Sequence, residues 1–231
     1  MNDKLNIIIT GASSGIGFEL TKALLEEGHF VYSISRSIDS LKKLKKENSY
    51  SKLTIIPFDL TKDDYSTLSD IFSNVTIDHL VNNAGFLVNK SIKEQTVEEF
   101  KQQYNVNVIS VYQLVKTLLD SFNTSYSTIC NITSMGGING SAKFPGLSGY
   151  SSSKGALSVL TECLAEELKE FNIHVNALAL GAVQTEMLAT AFPGYNSDVS
   201  ATSMASYIKH FILNDSKLFN GKIISVSKST P

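Results

Sequence analysis

Tyr150-Ser-Ser-Ser-Lys154 sets a phenol and an ammonium four residues apart. On a helix that spacing puts both side chains on one face, a turn apart. A free phenol ionises near pH 10, too high for easy proton exchange at neutral pH. A neighbouring positive charge favours the phenolate, so Lys154 is expected to lower the Tyr150 pKa toward the range of a general acid/base. Taken alone, the pair also fits a solvated helix start, and the rest of the chain must decide.

Upstream, Thr10-Gly-Ala-Ser-Ser-Gly-Ile-Gly17 follows an apolar β-branched run and opens a helical pattern. Glycines at 11, 15 and 17 allow a tight turn, close approach to a pyrophosphate, and packing of helix on strand. Together with Ser13, Ser14 and Ile16, the backbone N–H groups at such a helix start form a phosphate cradle. The spacing differs from the common G-x-G-x-x-G, yet its place between strand and helix favours a dinucleotide. About 20 residues further on, where an acidic side chain would hold the ribose of NAD, stand Ser35 and Arg36. A guanidinium there suits a 2′-phosphate and points to NADP(H). Asp39 is the rival for an NAD(H) ribose, although it falls where a helix N-cap is expected. The lysines at 42, 43, 45 and 46 read as the solvated face of that helix.

Three shorter stretches end later strands. Asp59, in Phe58-Asp-Leu60, either meets an adenine edge or caps a turn. Asn82-Asn83-Ala84-Gly85 offers small residues at a sheet crevice. Ser134, in Ile132-Thr-Ser-Met135, places a hydroxyl where it would hold charge on a substrate oxygen.

These groups must be positioned by alternating β-branched runs and helical patterns. Strands are expected at 5–9, 30–34, 53–57, 79–82, 127–132, 173–178 and 222–226. Helices are expected at 15–27, 39–47, 64–73, 96–120, 150–171 and 201–213. The alternation predicts an α/β fold, a doubly wound parallel sheet of about seven strands with helices on both faces. No linker or repeat interrupts it, so residues 1–231 read as a single domain. Val97, Phe100, Tyr104, Val108, Val111, Val115 and Leu118 recur at helical spacing as one core stripe. Leu157, Leu160, Leu164, Leu168 and Phe171 form another. Apolar positions beside the first stripe (Val106, Ile109, Leu114, Leu119) leave surface for deeper burial or a homo-oligomer contact.

Hydrophobic residues make up 42% of the chain and charged ones 18%, and the formal net charge is −2. That balance is ordinary for a globular protein and gives no basic footprint for nucleic acid. No apolar run reaches the ~20 residues that span a bilayer, and the start lacks a signal peptide's long apolar stretch. Cys130 and Cys163 sit in separate apolar segments and read as two buried free thiols, so a cytoplasmic protein is expected. His29, His79, His174 and His210 are scattered, read as surface or strand-edge residues, and show no metal-ligand spacing.

Taken in order, Thr10-Gly-x-x-x-Gly-x-Gly17, Asp59, Asn82-Asn-Ala-Gly85, Asn107, Ser134 and Tyr150-x-x-x-Lys154 closely resemble the short-chain dehydrogenase/reductase family along essentially the whole chain. The resemblance implies a Rossmann fold with Tyr150 as proton donor and acceptor. It implies that Lys154 binds the nicotinamide ribose, Ser134 orients the carbonyl and Asn107 holds a relay water. Asn83 is then expected near the cofactor ribose, and Gly181, Val183 and Thr185 around the carboxamide. The same resemblance implies a homodimer or homotetramer built on the long helices. The chain departs from the family in the stretch 135–149, at Leu180-Gly181 where Pro-Gly is usual, and in the ending Ser227-Lys-Ser-Thr-Pro231.

The expectation is therefore an NADP(H)-dependent oxidoreductase moving a hydride between nicotinamide and a carbonyl or alcohol. NAD(H)-dependent alcohol oxidation, and a non-catalytic NADP(H) sensor on the same fold, are the rivals. Met135, Phe144, Gln184, Met187 and Leu188 are expected to line the substrate pocket, with Phe86, Leu87, Leu147, Phe192 and Tyr195 beside them. Such a lining suits an apolar or aromatic ketone or a pterin-like carbonyl under a small lid.

Overall fold

The computed structural model describes residues 4–48 and 50–228. Among them, seven parallel strands form one sheet: β1 (Asn6–Thr10), β2 (Phe30–Ser35), β3 (Leu53–Pro57), β4 (His79–Asn82), β5 (Ser127–Ser134), β6 (Ile173–Leu180) and β7 (Ile223–Val226). Their order is β3-β2-β1-β4-β5-β6-β7. It reverses direction between β1 and β4, which opens a crevice at their carboxyl ends.

Alternation along the strands feeds two cores. Ile7 and Ile9 of β1 face one core and Ile8 the other. The first core packs α1 (Gly15–Glu26), α2 (Asp39–Asn48) and α8 (Ala201–His210) on the sheet. The second packs α3 (Ser66–Phe72), α5 (Ser110–Leu118) and α6 (Ser148–Glu167). A strand with both faces buried needs no polar alternation, so β1 runs through three isoleucines, while polar side chains buried in β5, such as Thr128 and Asn131, are hydrogen-bonded.

The expected helix over 96–120 is interrupted. α4 (Val97–Tyr104) starts at a capping box, in which Thr96 Oγ1 accepts from Glu99 N and Glu99 Oε2 accepts from Thr96 N. It then passes through a π turn at Asn105–Ile109 before α5 begins. The wider turn shifts the phase of the helix, so the expected single core stripe splits. Val111, Val115 and Leu118 are buried, whereas Val97 is 61% and Phe100 38% exposed.

Other expectations change too. α7 (Glu186–Ala191) lies in the stretch read as a small lid, where no helix was expected. β5 and β6 each run two residues past the expected ends. Asp39 is the first residue of α2 rather than its cap. Cys163 is exposed, because it lies on the outer face of α6, while Cys130 is buried in β5. His29 and His79 are buried rather than at the surface. Phe171 ends the second helical stripe exposed. The last three residues of the altered C-terminal ending, 229–231, lie outside the described residues.

Candidate active site

A cleft of about 1380 Å³ lies at the carboxyl ends of the strands, across the β1/β4 reversal. Its nucleotide end is built by the β1–α1 turn. Gly11 and Gly15 take φ of 65° and 52°, a left-handed backbone that side chains disfavour. A Cβ on Gly17 would stand 2.4 Å from Gly11 O, so this glycine exists to let α1 pack on the turn. Gly17 does not line the cleft. What the structure shows for it is a packing role.

Thr10 Oγ1 accepts hydrogen bonds from Asn83 N (3.1 Å) and Ala84 N (3.0 Å). Asn83 Nδ2 donates to Thr10 O (3.0 Å) and Gly11 O (3.2 Å). The Asn83 side chain thus clamps the glycine turn to the end of β4, although the residue still borders the cleft. Ser14 caps α1 in an extended conformation, yet its hydroxyl makes no capping bond and borders the cleft. That hydroxyl and the first N–H groups of α1 form a donor set that fits a pyrophosphate.

At the end of β2, Ser35 Oγ donates to Ser13 Oγ (2.8 Å), and Ser40 Oγ donates to Ser13 O (2.6 Å). Arg36 is exposed at the cleft rim. Asp59 Oδ1 accepts from Thr61 N (2.9 Å) and Thr61 Oγ1 (2.8 Å), the turn role foreseen for it. Burial pushes the Asp59 pKa up, but the Thr61 bonds and the Arg36 charge outweigh it and hold it below the usual value. Leu60, Ala84, Gly85, Gly181, Val183 and Thr185 all border the cleft as expected. Thr185 also caps α7, accepting from Leu188 N.

The reactive end is set by β5 and α6. Ser134 terminates β5 and hydrogen-bonds with Tyr150 in the first turn of α6. Lys154 lies a turn later, its Nζ 5.9 Å from the Tyr150 ring centre. Thr133 Oγ1 donates to Lys154 O (2.8 Å) and fixes α6 against β5. Lys154 is 3% exposed, and its Nζ donates to Ile132 O (2.8 Å).

Here the electrostatics differ from the simple expectation. Burial pushes the Tyr150 phenol up to about 12, against the opposing pull of the Ser134 bond. Burial likewise pushes the Lys154 amine down to about 8. The ammonium is directed to a carbonyl rather than to the phenol oxygen, so desolvation governs both groups.

Asn107 sits in the π turn, fully buried and outside the cleft lining. Its Oδ1 accepts from Phe86 N (2.9 Å), and its Nδ2 donates to Phe86 O (3.0 Å) and Ser153 Oγ (2.9 Å). Ser153 Oγ in turn donates to Tyr150 O (2.8 Å). Asn107 therefore braces the loop after β4 against α6.

On the substrate side, Met135, Phe144, Met187 and Leu188 line the cleft with Phe86, Leu87, Leu147, Phe192 and Tyr195. Gln184 does not. Its Oε1 accepts from Ser197 N (2.8 Å) and its backbone bridges to Ser200, so it ties down the loop after α7. A Cβ on Gly85 would lie 3.7 Å from Met187 Cε, Lys154 Nζ and Asn107 Oδ1, so these three side chains converge on the loop after β4. Gln102, Val106 and Glu186 also border the cleft, where the sequence reading did not place them. The spacing of Gln102 and Val106, four apart on one helix face, was the readable signal.

Comparison with known proteins follows the same lines. The short chain dehydrogenase family matches residues 5–196. The probable short-chain type dehydrogenase/reductase VdlC of Helicobacter pylori is 35% identical over 191 residues, covering 80% of this chain and 67% of that protein. L-xylulose reductase of Caenorhabditis elegans is 34% identical over 187 residues, 78% of this chain and 72% of that one. Among solved structures, 3-ketoacyl-(acyl-carrier-protein) reductase from Brucella melitensis complexed with NADH superposes with a TM-score of 0.87 at 25% identity, covering 98% of each chain. ElxO with NADP bound gives 0.83 at 27% identity, over 97% of this chain and 98% of that one.

Proposed function

The chain belongs to the short-chain dehydrogenase/reductase family and acts as an oxidoreductase on alcohol or carbonyl groups, and we propose that it reduces a carbonyl compound with NADPH. The observation that carries the proposal is one cleft joining the α1 phosphate cradle to Ser134, Tyr150 and Lys154.

A bound nicotinamide would supply the hydride. In this reading the Ser134 hydroxyl donates to the substrate oxygen and holds it beside Tyr150. As negative charge builds on that oxygen, Tyr150 passes it the phenolic proton. A phenol held near 12 keeps its proton at neutral pH, as the proton donor in carbonyl reduction must. Lys154 lends positive charge next to the phenolate that forms, and its position at the cleft floor fits a hydrogen bond to the nicotinamide ribose. Asn107 keeps the Phe86 loop and α6 in register around the reacting carbon.

The preference for NADP(H) rests on Arg36. Among the described residues it has no carboxylate within ion-pair distance, and it stands beside the Ser35–Ser13 hydroxyl pair at the rim. A 2′-phosphate matches that charge. Asp39 borders the same rim and supports the competing NAD(H) reading.

Fluorescence titration with NADPH and NADH tests the choice. Tighter NADPH binding is expected, and Arg36→Leu should weaken NADPH by about tenfold or more while sparing NADH. Equal affinities in the wild type would overturn the assignment.

The exposed apolar side chains Phe100, Ile109, Tyr112 and Val159 on the α4–α6 side support a homodimer or homotetramer. Two unpaired thiols support a reducing cytoplasm, and no helix among the described residues is long and apolar enough to cross a membrane.

A further inference from the structure

The walls around the reacting centre are apolar: Phe86, Leu87, Val106, Leu147, Met187 and Phe192 border the cleft there. The charged lining residues are Arg36, Asp39 and Asp59 at the nucleotide end, Lys154 at the catalytic floor and Glu186 at the start of α7. The substrate end thus holds one carboxylate and no cation beyond the catalytic lysine. An anionic substrate finds no partner there, and an uncharged one does.

Within this wall, one amide stands apart. Gln102 lies on the last turn of α4, four residues before Val106, and both border the cleft. Its neighbour Gln103 is fully buried and committed, accepting from Val88 N (3.0 Å) and donating to Glu99 O (3.4 Å). Among the described residues no hydrogen bond reaches the Gln102 amide, which is half-buried. A primary amide carries two donors and an acceptor with two lone pairs. When an apolar molecule fills the cleft it strips water from that amide, a loss the ligand must offset with a partner of its own.

We propose that Gln102 is a substrate-binding residue, and that the substrate is an uncharged, apolar-framed carbonyl compound with a second hydrogen-bonding group held by this amide. The proposal rests on the carbonyl-reductase reading and adds its specificity. The reacting oxygen is fixed by Ser134 and Tyr150 on the β5–α6 side, and the second group is read from α4. Two-point binding also orients which face of the carbonyl meets the hydride, because an apolar wall alone restricts rotation poorly. The chemical class is a diketone, a quinone or a hydroxy- or alkoxy-substituted aryl ketone. A hydrocarbon ketone of the same size leaves the amide unpaired.

The test uses matched ketones, the ortho, meta and para diacetylbenzenes against the corresponding ethylacetophenones, with the full-length protein and NADPH. Wild type should favour at least one diketone over its hydrocarbon twin by about tenfold or more in kcat/KM. Gln102→Leu should bring that ratio close to one, through KM rather than kcat. Affinity for the same pairs is measured separately by calorimetry on the NADPH complex of Tyr150→Phe, with and without Gln102→Leu, where turnover plays no part. A preference seen in binding and abolished by Gln102→Leu supports the proposal even where no member of the panel is reduced. Equal affinity for every pair, or a preference that survives Gln102→Leu, overturns it. Failure of NADPH itself to bind the wild type overturns the reductase reading and this inference with it, an outcome distinct from equal affinities.

Discussion

Lowering the pH should expose His79 as an acid-sensitive point in the sheet that carries the site. His79 opens β4, is 5% exposed, and shares a 2.7 Å hydrogen bond between Nδ1 and Thr128 Oγ1 of β5. Burial pushes its pKa from 6.5 down to about 4, against the opposing attraction of Asp78. In the unfolded chain the imidazole takes a proton below about pH 6.5, whereas the folded chain resists until about pH 4. The unfolded state therefore binds more protons across that window, and stability falls as pH falls through it. The full shift of roughly 2.5 pH units corresponds to roughly 3 kcal/mol, of which about 2 kcal/mol is lost by pH 5. Urea unfolding at about pH 7.5 and about pH 5 measures this directly. His79→Gln keeps a hydrogen-bonding group toward Thr128 but cannot titrate. Carboxylates common to both proteins cancel, so the variant should lose about 2 kcal/mol less than wild type over the interval. Identical losses in the two proteins would refute the reasoning.

Three further outcomes follow from the site. Gly17→Ala drives a Cβ to 2.4 Å from Gly11 O and 2.5 Å from Asn83 Nδ2, so it should distort the glycine turn. Thermal unfolding should drop by several degrees and NADPH affinity should fall, as calorimetry can show. The reduction rate should decline as pH rises through about 8, where Lys154 loses its proton, while Tyr150 stays protonated to about 12. A pH profile of kcat/KM for Lys154→Met should be lower and lack that step. Ser153→Ala removes the acceptor for Asn107 Nδ2 and should slow turnover several-fold with little change in NADPH affinity, read from kcat against Kd.

Much of the fold was written locally. Parallel strands buried on both faces favour continuous β-branched runs, so Ile7-Ile8-Ile9 stands out in the sequence. Tyr150 and Lys154 share a helix face because α-helical spacing requires it. Other features depend on tertiary context. The π turn at Asn105–Ile109 has no pattern of its own, and it exists where Asn107 can reach Phe86 and Ser153. Asn83 borders the cleft as expected, but that its amide also meets two carbonyls of the glycine turn is something no one-dimensional spacing reveals. Gln184 and Gln102 are the same residue type on either side of the cleft, and only folding shows which is committed to a loop. The upward shift of Tyr150 likewise depends on how deeply α6 packs, whereas charge pairing alone pointed downward.

Tyr150→Phe tests the central claim most directly. The ring is kept, so the packing of α6 and the nucleotide cradle should hold, and only the hydroxyl that carries the proton is removed. The account predicts NADPH affinity within about threefold of wild type and carbonyl reduction lowered by about a hundredfold or more. A variant that still reduces the wild type's substrates at a comparable rate would contradict the role given to Tyr150. A wild type that binds NADPH tightly but turns over no carbonyl in a broad panel would point instead to a nucleotide sensor.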